Sequence, residues 1–566
     1  MIPSCTEEKL RLWEPDDAVE RMARELRCSS FLASLLWMRG VEPDKAAAEK
    51  AWWVSPELEY WMEHVDLGRD SSRACAVWSS LPEGANVVVY GDYDVDGIAA
   101  TTFMMDLALN RGSRVRYYIP HRNNQGYGFH PDVVDTIAKS GCKCDLLVVV
   151  DCGTQNIDAA ERAKAHGIPV LIFDHHLARD EVAGADALVN PHIDGNDLAR
   201  KLCAAGVVWS WAWKNELAPK DWLLKNLDVA ALATIADCVS MDSPVNRAIV
   251  RRGVQAIRTQ PRPGLSALMR GMELDTASLD CDALAMKIIP CLNAAGRLQL
   301  ADLSMKIFFP SGDVDEHARK LVALNKKRRD LSAKIIGDVE RSAREGSKYN
   351  HVLFGEDWPP GVLSSVASHI CATRDAPVVL AAPTRKDTIR GTLRVPSGVD
   401  AEAILTAMSD DLLSWGGHRM AAGFSVETER WAEIRDRLEE SLSNAKIEVE
   451  KEDALNWAPS QLDMMAWKDA ERLGPFGVGN PYPRLFCPNE GGICAEPLGR
   501  KGSHIKIYVD GCELLGFGGE HLVTSGCRPS GWIYKPRINY WRSSENLQLV
   551  VEKVVTPEPQ PGANEK

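Results

Sequence analysis

No uninterrupted apolar run in this 566-residue chain approaches the roughly 18 residues that a membrane-spanning helix needs. The strongest run, Leu146–Val150, is the size of a β-strand. The N-terminal stretch MIPSCTEEKLRLWEPDD turns mixed-charge from Glu7 onward and lacks the apolar core of a signal peptide. Secretion and membrane insertion are therefore not expected, and a cytoplasmic location is. The 15 cysteines form no CxxC pair, and only Cys142 and Cys144 stand close together. That spacing excludes a zinc ribbon and a disulfide framework and fits reduced thiols. An excess of basic charge is also missing, since 66 Lys and Arg against 79 Asp and Glu give −13. A polyanionic ligand would need local basic stretches. Internal repeats are lacking as well.

What is present is ordinary globular composition, 45% hydrophobic and 26% charged, in a chain long enough for three or four domains of about 150 residues. Residues 1–80 read as an N-terminal helical segment packed on the domain that follows; Ala18–Gly40 has apolar residues at helical spacing and a glycine stop. Residues 81–312 alternate short β-branched runs with helical stretches, which predicts an α/β domain with a parallel sheet covered on both faces. Residues 313–346 predict one long or two consecutive charged helices as a connector, with Lys326–Arg329 on a solvated section. Residues 347–445 predict a smaller α/β domain, 446–458 a linker, 459–556 a small OB-like β-barrel, and 557–566 a disordered tail.

Three predicted strands end alike. Val87–Tyr90 runs into Gly91-Asp92-Tyr93-Asp94-Val95-Asp96-Gly97, Val148–Val150 into Asp151-Cys152-Gly153, and Leu171–Phe173 into Asp174-His175-His176. Ligands of open parallel sheets sit beyond the carboxyl ends of the strands, so these groups should converge on one edge. A single acid after a strand is accounted for by helix capping. Three in succession, one followed by two histidines, are not. Such a gathering of carboxylates repels itself unless cations neutralise it. Oxygen and imidazole donors suit two Mn2+ or Mg2+ ions, a pair able to activate water and clamp a phosphoryl oxygen.

The segments GDYDVDG, VVVDCG, FDHH and ATIADCVSM resemble the four signature motifs of the DHH family of phosphoesterases. The likeness is strongest to the RecJ-type single-strand-specific exonucleases and extends over nearly the whole chain. It takes in ARELRCSSFLASLLWMRGV, PHRNNQGYGFHP, LNAAGRL at 292–298, GGHRMAAGF at 416–424, and LGPFGVGNPYP with LQLVVEKV. The resemblance implies that Asp94 and Asp151 hold one metal ion. Asp96, Asp151, His175 and Asp237 would hold the second, with Asp92 counted among the metal-binding acids, and Asp92 and Asp174 either touching the ions or orienting the residues that do. It casts His176 beside the scissile phosphate and makes His176, Asp151 and Asp174 the catalytic set. Asp237, taken alone, is only a helix-end acid.

The same resemblance carries Arg122, Arg297, Thr392, Arg394, Gly417 and His418 over as phosphate or DNA contacts, with Arg122, Thr392 and Arg394 at the 5′ end. Two basic stretches offset the acidic average. Residues 243–272 hold six arginines and no acid, and 528–542 interleave basic residues with aromatics, among them Trp532 and Tyr534, a chemistry suited to single strands. Departures occur at Pro359, His369 and Cys291, where the family usually has His, Arg and Arg, so the metal ligands are intact while the grip on the strand is altered. The expected function is a 5′→3′ single-stranded-DNA exonuclease that releases mononucleotides in recombination and mismatch repair. A single-strand-binding protein and a helicase are the implied partners. The alternatives are a DHH phosphodiesterase of short oligonucleotides or cyclic dinucleotides and a non-catalytic DNA-binding scaffold.

Overall fold

The computed structural model describes residues 2–42, 52–121, 126–179, 181–276, 279–298, 301–309, 312–385, 387–448, 451–489, 495–499, 502–520, 522, 529–541 and 544–557. Arg122 and the tail beyond 557 lie outside the described residues. The chain divides into two units, one of Leu58–Val239 with Ile249–Glu448, the other of Met1–Glu57, Ser240–Ala248 and Val449–Lys566.

The larger unit contains two sheets. In the first, β1 (Asn86–Gly91), β2 (Arg114–Tyr118), β3 (Leu146–Val150), β4 (Val170–Phe173) and β5 (Ala187–Val189) are all parallel, in the order 2-1-3-4-5. Every residue of β3 is buried, which its unbroken Leu-Leu-Val-Val-Val sequence demands; each such side chain contributes roughly 1.5–3 kcal/mol. Helix α1 (Val95–Asn110) is apolar nearly all round and packs between neighbours, chiefly α2 (Ala204–Lys214) and α3 (Leu227–Ala236). Strand order reverses between β1 and β3, which is where an open parallel sheet leaves its crevice.

The helix α4 (Ile289–Leu298) lies along α5 (Val314–Arg344), a single 31-residue helix capped by Asp313. Lys326, Lys327 and Arg329 are exposed on α5. The helix α6 (Pro360–Arg374) covers one face of the second sheet. That sheet orders β6 (Val352–Phe354), β7 (Val378–Arg385), β8 (Thr388–Arg394), β9 (Ser414–His418) and β10 (Ala421–Glu427) as 9-10-8-7-6, with only β6 and β7 parallel. Residues of β7 alternate between two cores. Val378, Leu380 and Ala382 meet α6, while Val379 and Ala381 meet the helix Trp431–Ser443.

The smaller unit departs from expectation at its N-terminus. Residues 1–57 belong with the C-terminal residues, and the segment read as helical contains two strands. Ser4–Thr6 pairs parallel with Val554–Thr556, and Leu10–Trp13 pairs parallel with Glu452–Leu455. The stretch read as one helix from Ala18 is two, Asp17–Leu26 and Ser30–Trp37, capped by Asp16 and Ser29 and divided where Arg27 adopts a left-handed conformation. The supposed linker 446–458 contains a strand, Glu452–Asn456, paired on both sides.

Trp532 and Tyr534, expected to face a nucleic-acid strand, are instead fully buried in the core of this unit, with the Tyr534 hydroxyl donating to the Trp457 carbonyl at 2.7 Å. The neighbouring Ile533 is also covered, in a cluster with Cys5 and Leu10 of the N-terminal strands. The arginines of 243–272 are likewise occupied. Arg247 is buried beside the Trp53 ring, Arg252 faces Glu59, Arg258 donates to the Leu279 carbonyl, and Arg270 pairs with Asp315. Arg262 bridges Asp106 of α1, Asp228 of α3 and Asn226 at 2.8, 2.7 and 2.6 Å. Arg247 and Arg262 brace the fold from buried and largely buried positions, whereas Arg252 and Arg270 stay exposed, each beside an acid.

Candidate metal centre

The loop after β1 places three acids. Asp92 is buried, Asp94 caps α1 by accepting the Gly97 N–H at 3.1 Å, and Asp96 sits in the first turn of α1. Capping is thus a real role of Asp94, as the simpler reading of such an acid supposes. The Asp96 carboxylate accepts the Ala204 and Ala205 N–H groups, at 2.7 and 2.8 Å, from the N-terminus of α2, where the helix dipole favours an anion. After β3, Asp151 has φ +62°, a left-handed conformation that costs an aspartate about 1–2 kcal/mol and turns its side chain toward the others. After β4 come Asp174, His175 and His176, and Asp237 ends α3.

These groups converge. Donor atoms of Asp92, Asp94 and Asp151 lie within 4.8 Å of one another, and so do those of Asp96, His175 and Asp237 and those of Asp151, His175 and His176. The His175 Nε2 lies 3.4 Å from Asp151 Oδ1 and 3.7 Å from both Asp96 Oδ2 and Asp237 Oδ2. Asp151 therefore belongs to an all-oxygen group on one side and to a group with imidazole on the other.

Burial and the charges of Asp96, Asp94, Asp92 and Asp237 hold the Asp151 carboxyl well above the ordinary range. Burial, then Asp96 and Asp94, pushes Asp237 up to about 8. Asp96 is raised mainly by burial. Carboxylates that cannot all ionise together, mixed with one neutral imidazole, are the donor set that divalent cations such as Mn2+ or Mg2+ satisfy.

Asp174 does something else. Its Oδ1 accepts the His175 and His176 N–H groups and His176 Nδ1–H, at 2.8, 3.2 and 2.7 Å, and its Oδ2 accepts the Thr154 N–H at 3.1 Å. Burial would raise its pKa, but the hydrogen bond and charge of His176 outweigh burial and leave it far below the usual range. Conversely, burial lowers His176, and the Asp174 contact overrides it, lifting His176 to about 9. Asp174 thus orients the turn and keeps a proton on His176.

Four residues not singled out in the sequence belong to this neighbourhood. The Tyr127 hydroxyl is 3.0 Å from His176 Nδ1 and donates to the Asp151 carbonyl at 3.3 Å. Asn190 follows β5, as the acids follow β1, β3 and β4. It is buried, donates to the His176 carbonyl at 2.8 Å and to Thr154 Oγ1 at 3.0 Å, and accepts the His192 N–H. Asn293 and Ser364 join Asp92, Asp94, Asp151, His176, Asp237 and Arg297 in lining a cleft of about 320 Å3. A search confined to acids and histidines passes over amides and hydroxyls, although Asn190 stood at a strand end like the others.

Of the other expected contacts, Arg297 lines the cleft. Thr392 and Arg394 stand together on β8, linked at 2.9 Å, with Arg394 Nε donating to Ser368 Oγ of α6 at 3.0 Å. They are not among the residues lining the cleft, nor are Gly417 and His418, which lie exposed on β9.

Two outcomes follow directly. Asn190→Ala is expected to lower kcat roughly 10- to 100-fold with KM for the strand nearly unchanged, because it frees the turn that presents His176. Steady-state rates check this, and an unchanged kcat would mean the turn holds itself. In EDTA, protein stability is expected to fall as pH rises from about 4 to 8. A carboxyl with a raised folded pKa keeps its proton in the folded state and loses it on unfolding, so the folded form binds more protons throughout that window. His176 adds the same sign between about 6.5 and 9. Thermal unfolding across pH tests this, and Asp237→Asn should flatten the slope.

A parallel sheet whose strand ends gather acids around an Asp-His-His turn defines a DHH phosphoesterase. The family model of the DHH family N-terminal domain matches residues 86–236, the DHHA1 domain matches 346–444, and the RecJ OB domain matches 455–553. The chain is 30% identical over 526 residues to the single-stranded-DNA-specific exonuclease RecJ of Dickeya dadantii, covering 84% of this chain and 88% of that one. It belongs to the RecJ family. The corresponding Bacillus subtilis exonuclease is 27% identical over 567 residues, 96% of this chain and 71% of that one. The crystal structure of Thermus thermophilus RecJ in complex with Mn2+ has the same fold, with TM-score 0.80 and 24% identity over 98% of this chain and 81% of that one. No helix among the described residues is long and apolar enough to cross a membrane.

Proposed function

We propose that this chain is a divalent-metal-dependent exonuclease that degrades single-stranded DNA from its 5′ end to mononucleotides, in recombination and mismatch repair. The observation that carries the reading is the convergence of Asp92, Asp94, Asp96, Asp151, His175 and Asp237 at the strand-order reversal. Asp92, Asp94 and Asp151 would hold one ion, and Asp96, Asp151, His175 and Asp237 the other. When bound, the ions supply an acidified water and neutralise charge on the phosphoryl oxygens.

The remaining work falls to the chain's own side chains. His176, kept protonated by Asp174 and steadied by Asn190 and Tyr127, donates to a non-bridging phosphate oxygen as charge builds there. Arg297 and Asn293 hold the nucleotide across the cleft from the acids. Thr392 and Arg394 take the 5′-phosphate, with Arg122, Gly417 and His418 contributing to the grip; the guanidinium group suits the two-oxygen face of a phosphate. The 5′ polarity rests on the likeness of these elements to the family's. A cytoplasmic setting, a helicase that supplies single strands and a single-strand-binding protein complete the reading.

A roughly 50-nucleotide single strand labelled separately at each end tests it, with Mn2+ or Mg2+ and with EDTA. The 5′ label should appear at once as mononucleotide, and only with metal. Survival of the long strand while dinucleotides are cut would instead favour the short-oligonucleotide phosphodiesterase.

A further inference from the structure

The connector α5 carries more positive charge than its packing uses. From Arg319 to Gly337 it has seven cations against one acid, Asp330. Arg319 and Lys320 have partners, Asp313 at 3.9 Å and Glu316 at 2.6 Å, and the half-buried Arg328 donates to Asn325 Oδ1 at 3.0 Å. Lys326, Lys327, Arg329 and Lys334 are exposed, with no ion-pair partner among the described residues. At 3.6 residues per turn, Lys327 and Lys334 fall along one border of the exposed face, about 10 Å apart, and Arg329 falls along the other. Lys326 lies between them with Ala323, Asp330, Ala333 and Gly337, and a Cβ on Gly337 would meet nothing within 4 Å. The buried face of α5 packs along α4. Burial pushes the Cys291 thiol of α4 up to about 12, and the nearby charges of Arg328 and Arg329 oppose that rise. Cys291 stands two residues before Asn293 of the cleft, so the cationic run passes beside the stretch of α4 that lines it.

A chain of net charge −13 repels polyanions as a whole, so four unpaired cations on one face are a local exception. Between 319 and 337 no exposed apolar side chain is larger than alanine. Docked protein surfaces gather aromatic and apolar anchors at their centre, and this face has none. A polar, positive face floored by small residues suits a phosphate backbone instead. We propose that Lys326, Lys327, Arg329 and Lys334 form a track on α5 that holds the phosphates of the single strand after it leaves the cleft. The identity of that strand rests on the exonuclease reading. The contact is independent of sequence and keeps a long strand engaged between successive cuts, while a very short one never reaches it.

The test compares wild type with a full-length variant carrying Lys326→Gln, Lys327→Gln, Arg329→Gln and Lys334→Gln. Glutamine suits a helix and all four sites are exposed, so circular dichroism should find the fold unchanged. Fluorescence anisotropy in EDTA follows binding of a labelled strand of roughly 30 nucleotides from about 50 to 200 mM salt. Each phosphate contact adds about 0.7 to the slope of log affinity against log salt for a single strand. The variant's slope should be shallower by about 2 to 3, with affinity at low salt at least about tenfold weaker. With Mn2+, kcat/KM on the long strand should fall in step, while on a trinucleotide it should change less than about twofold. The charge-keeping variant of Lys326→Arg, Lys327→Arg, Arg329→Lys and Lys334→Arg should retain the wild-type slope. An unchanged slope in the glutamine variant, or equal losses on trinucleotide and long strand, overturns the proposal. If the slope is unchanged but binding of a decaglutamate peptide is lost, the face belongs to an acidic protein instead. A wild type that binds the long strand steeply yet cuts neither strand would sink the exonuclease reading and leave the track standing.

Discussion

Asp151→Asn is expected to lose at least about a thousandfold in kcat while its metal-free form unfolds at a higher temperature than wild type. Both effects have one cause. Asp151 joins the two donor groups, so replacing one carboxylate oxygen with an amide nitrogen damages both ion sites. Without metal, the same carboxyl is forced toward its protonated form by burial and by Asp96, Asp94, Asp92 and Asp237, at a cost to folding that grows with pH. Asparagine removes that cost. It also tolerates the φ of +62° at this position, which alanine would strain, so the asparagine variant isolates the charge. Activity and thermal unfolding in EDTA should move in opposite directions. A variant both inactive and less stable would mean that Asp151 is mainly a structural residue.

The second large effect concerns the proton on His176. His176→Ala should cost roughly 100- to 10,000-fold in kcat. Asp174→Asn should cost about 100-fold and move the alkaline limb of the pH–rate profile to lower pH by at least about one unit, because Asp174 supplies the hydrogen bond and charge that lift His176. KM for metal should change little in the histidine variant if His176 serves the phosphate. A large rise would make it an ion ligand, an arrangement its nearness to Asp151 and His175 also permits.

Strand-end acids were legible because unbroken Val and Leu runs mark buried parallel strands and Asp cannot continue them. Sheet order was not, since 2-1-3-4-5 depends on which runs pair, and only pairing puts Asp92 and Asp94 beside Asp151. Asp237 needed the family likeness, because an acid ending a helix carries no local sign of what it faces. Asn190 acts through a side-chain amide, and Ser364 lines the cleft from a distant helix; no periodicity marks either. At the N-terminus, Leu10–Trp13 finds its partner at Glu452–Leu455, too far along the chain for any local signal. Trp532 and Tyr534 have a cover equally remote in sequence, the N-terminal helices Asp17–Leu26 and Ser30–Trp37. An aromatic in a strand reads alike whether its face is open or covered, and here other strands and the N-terminal helices complete the cover.

The most direct measurement is calorimetric titration of Mn2+ into metal-stripped protein at pH about 7.5, in two buffers of different ionisation enthalpy, for wild type and Asp151→Asn. Two ions should bind wild type with release of protons, because the raised carboxyls of Asp151 and Asp237 must ionise to receive them. The variant should lose at least one ion and part of the proton release. Binding indifferent to the substitution, or no specific binding, would contradict the account of the acid cluster as a two-cation centre.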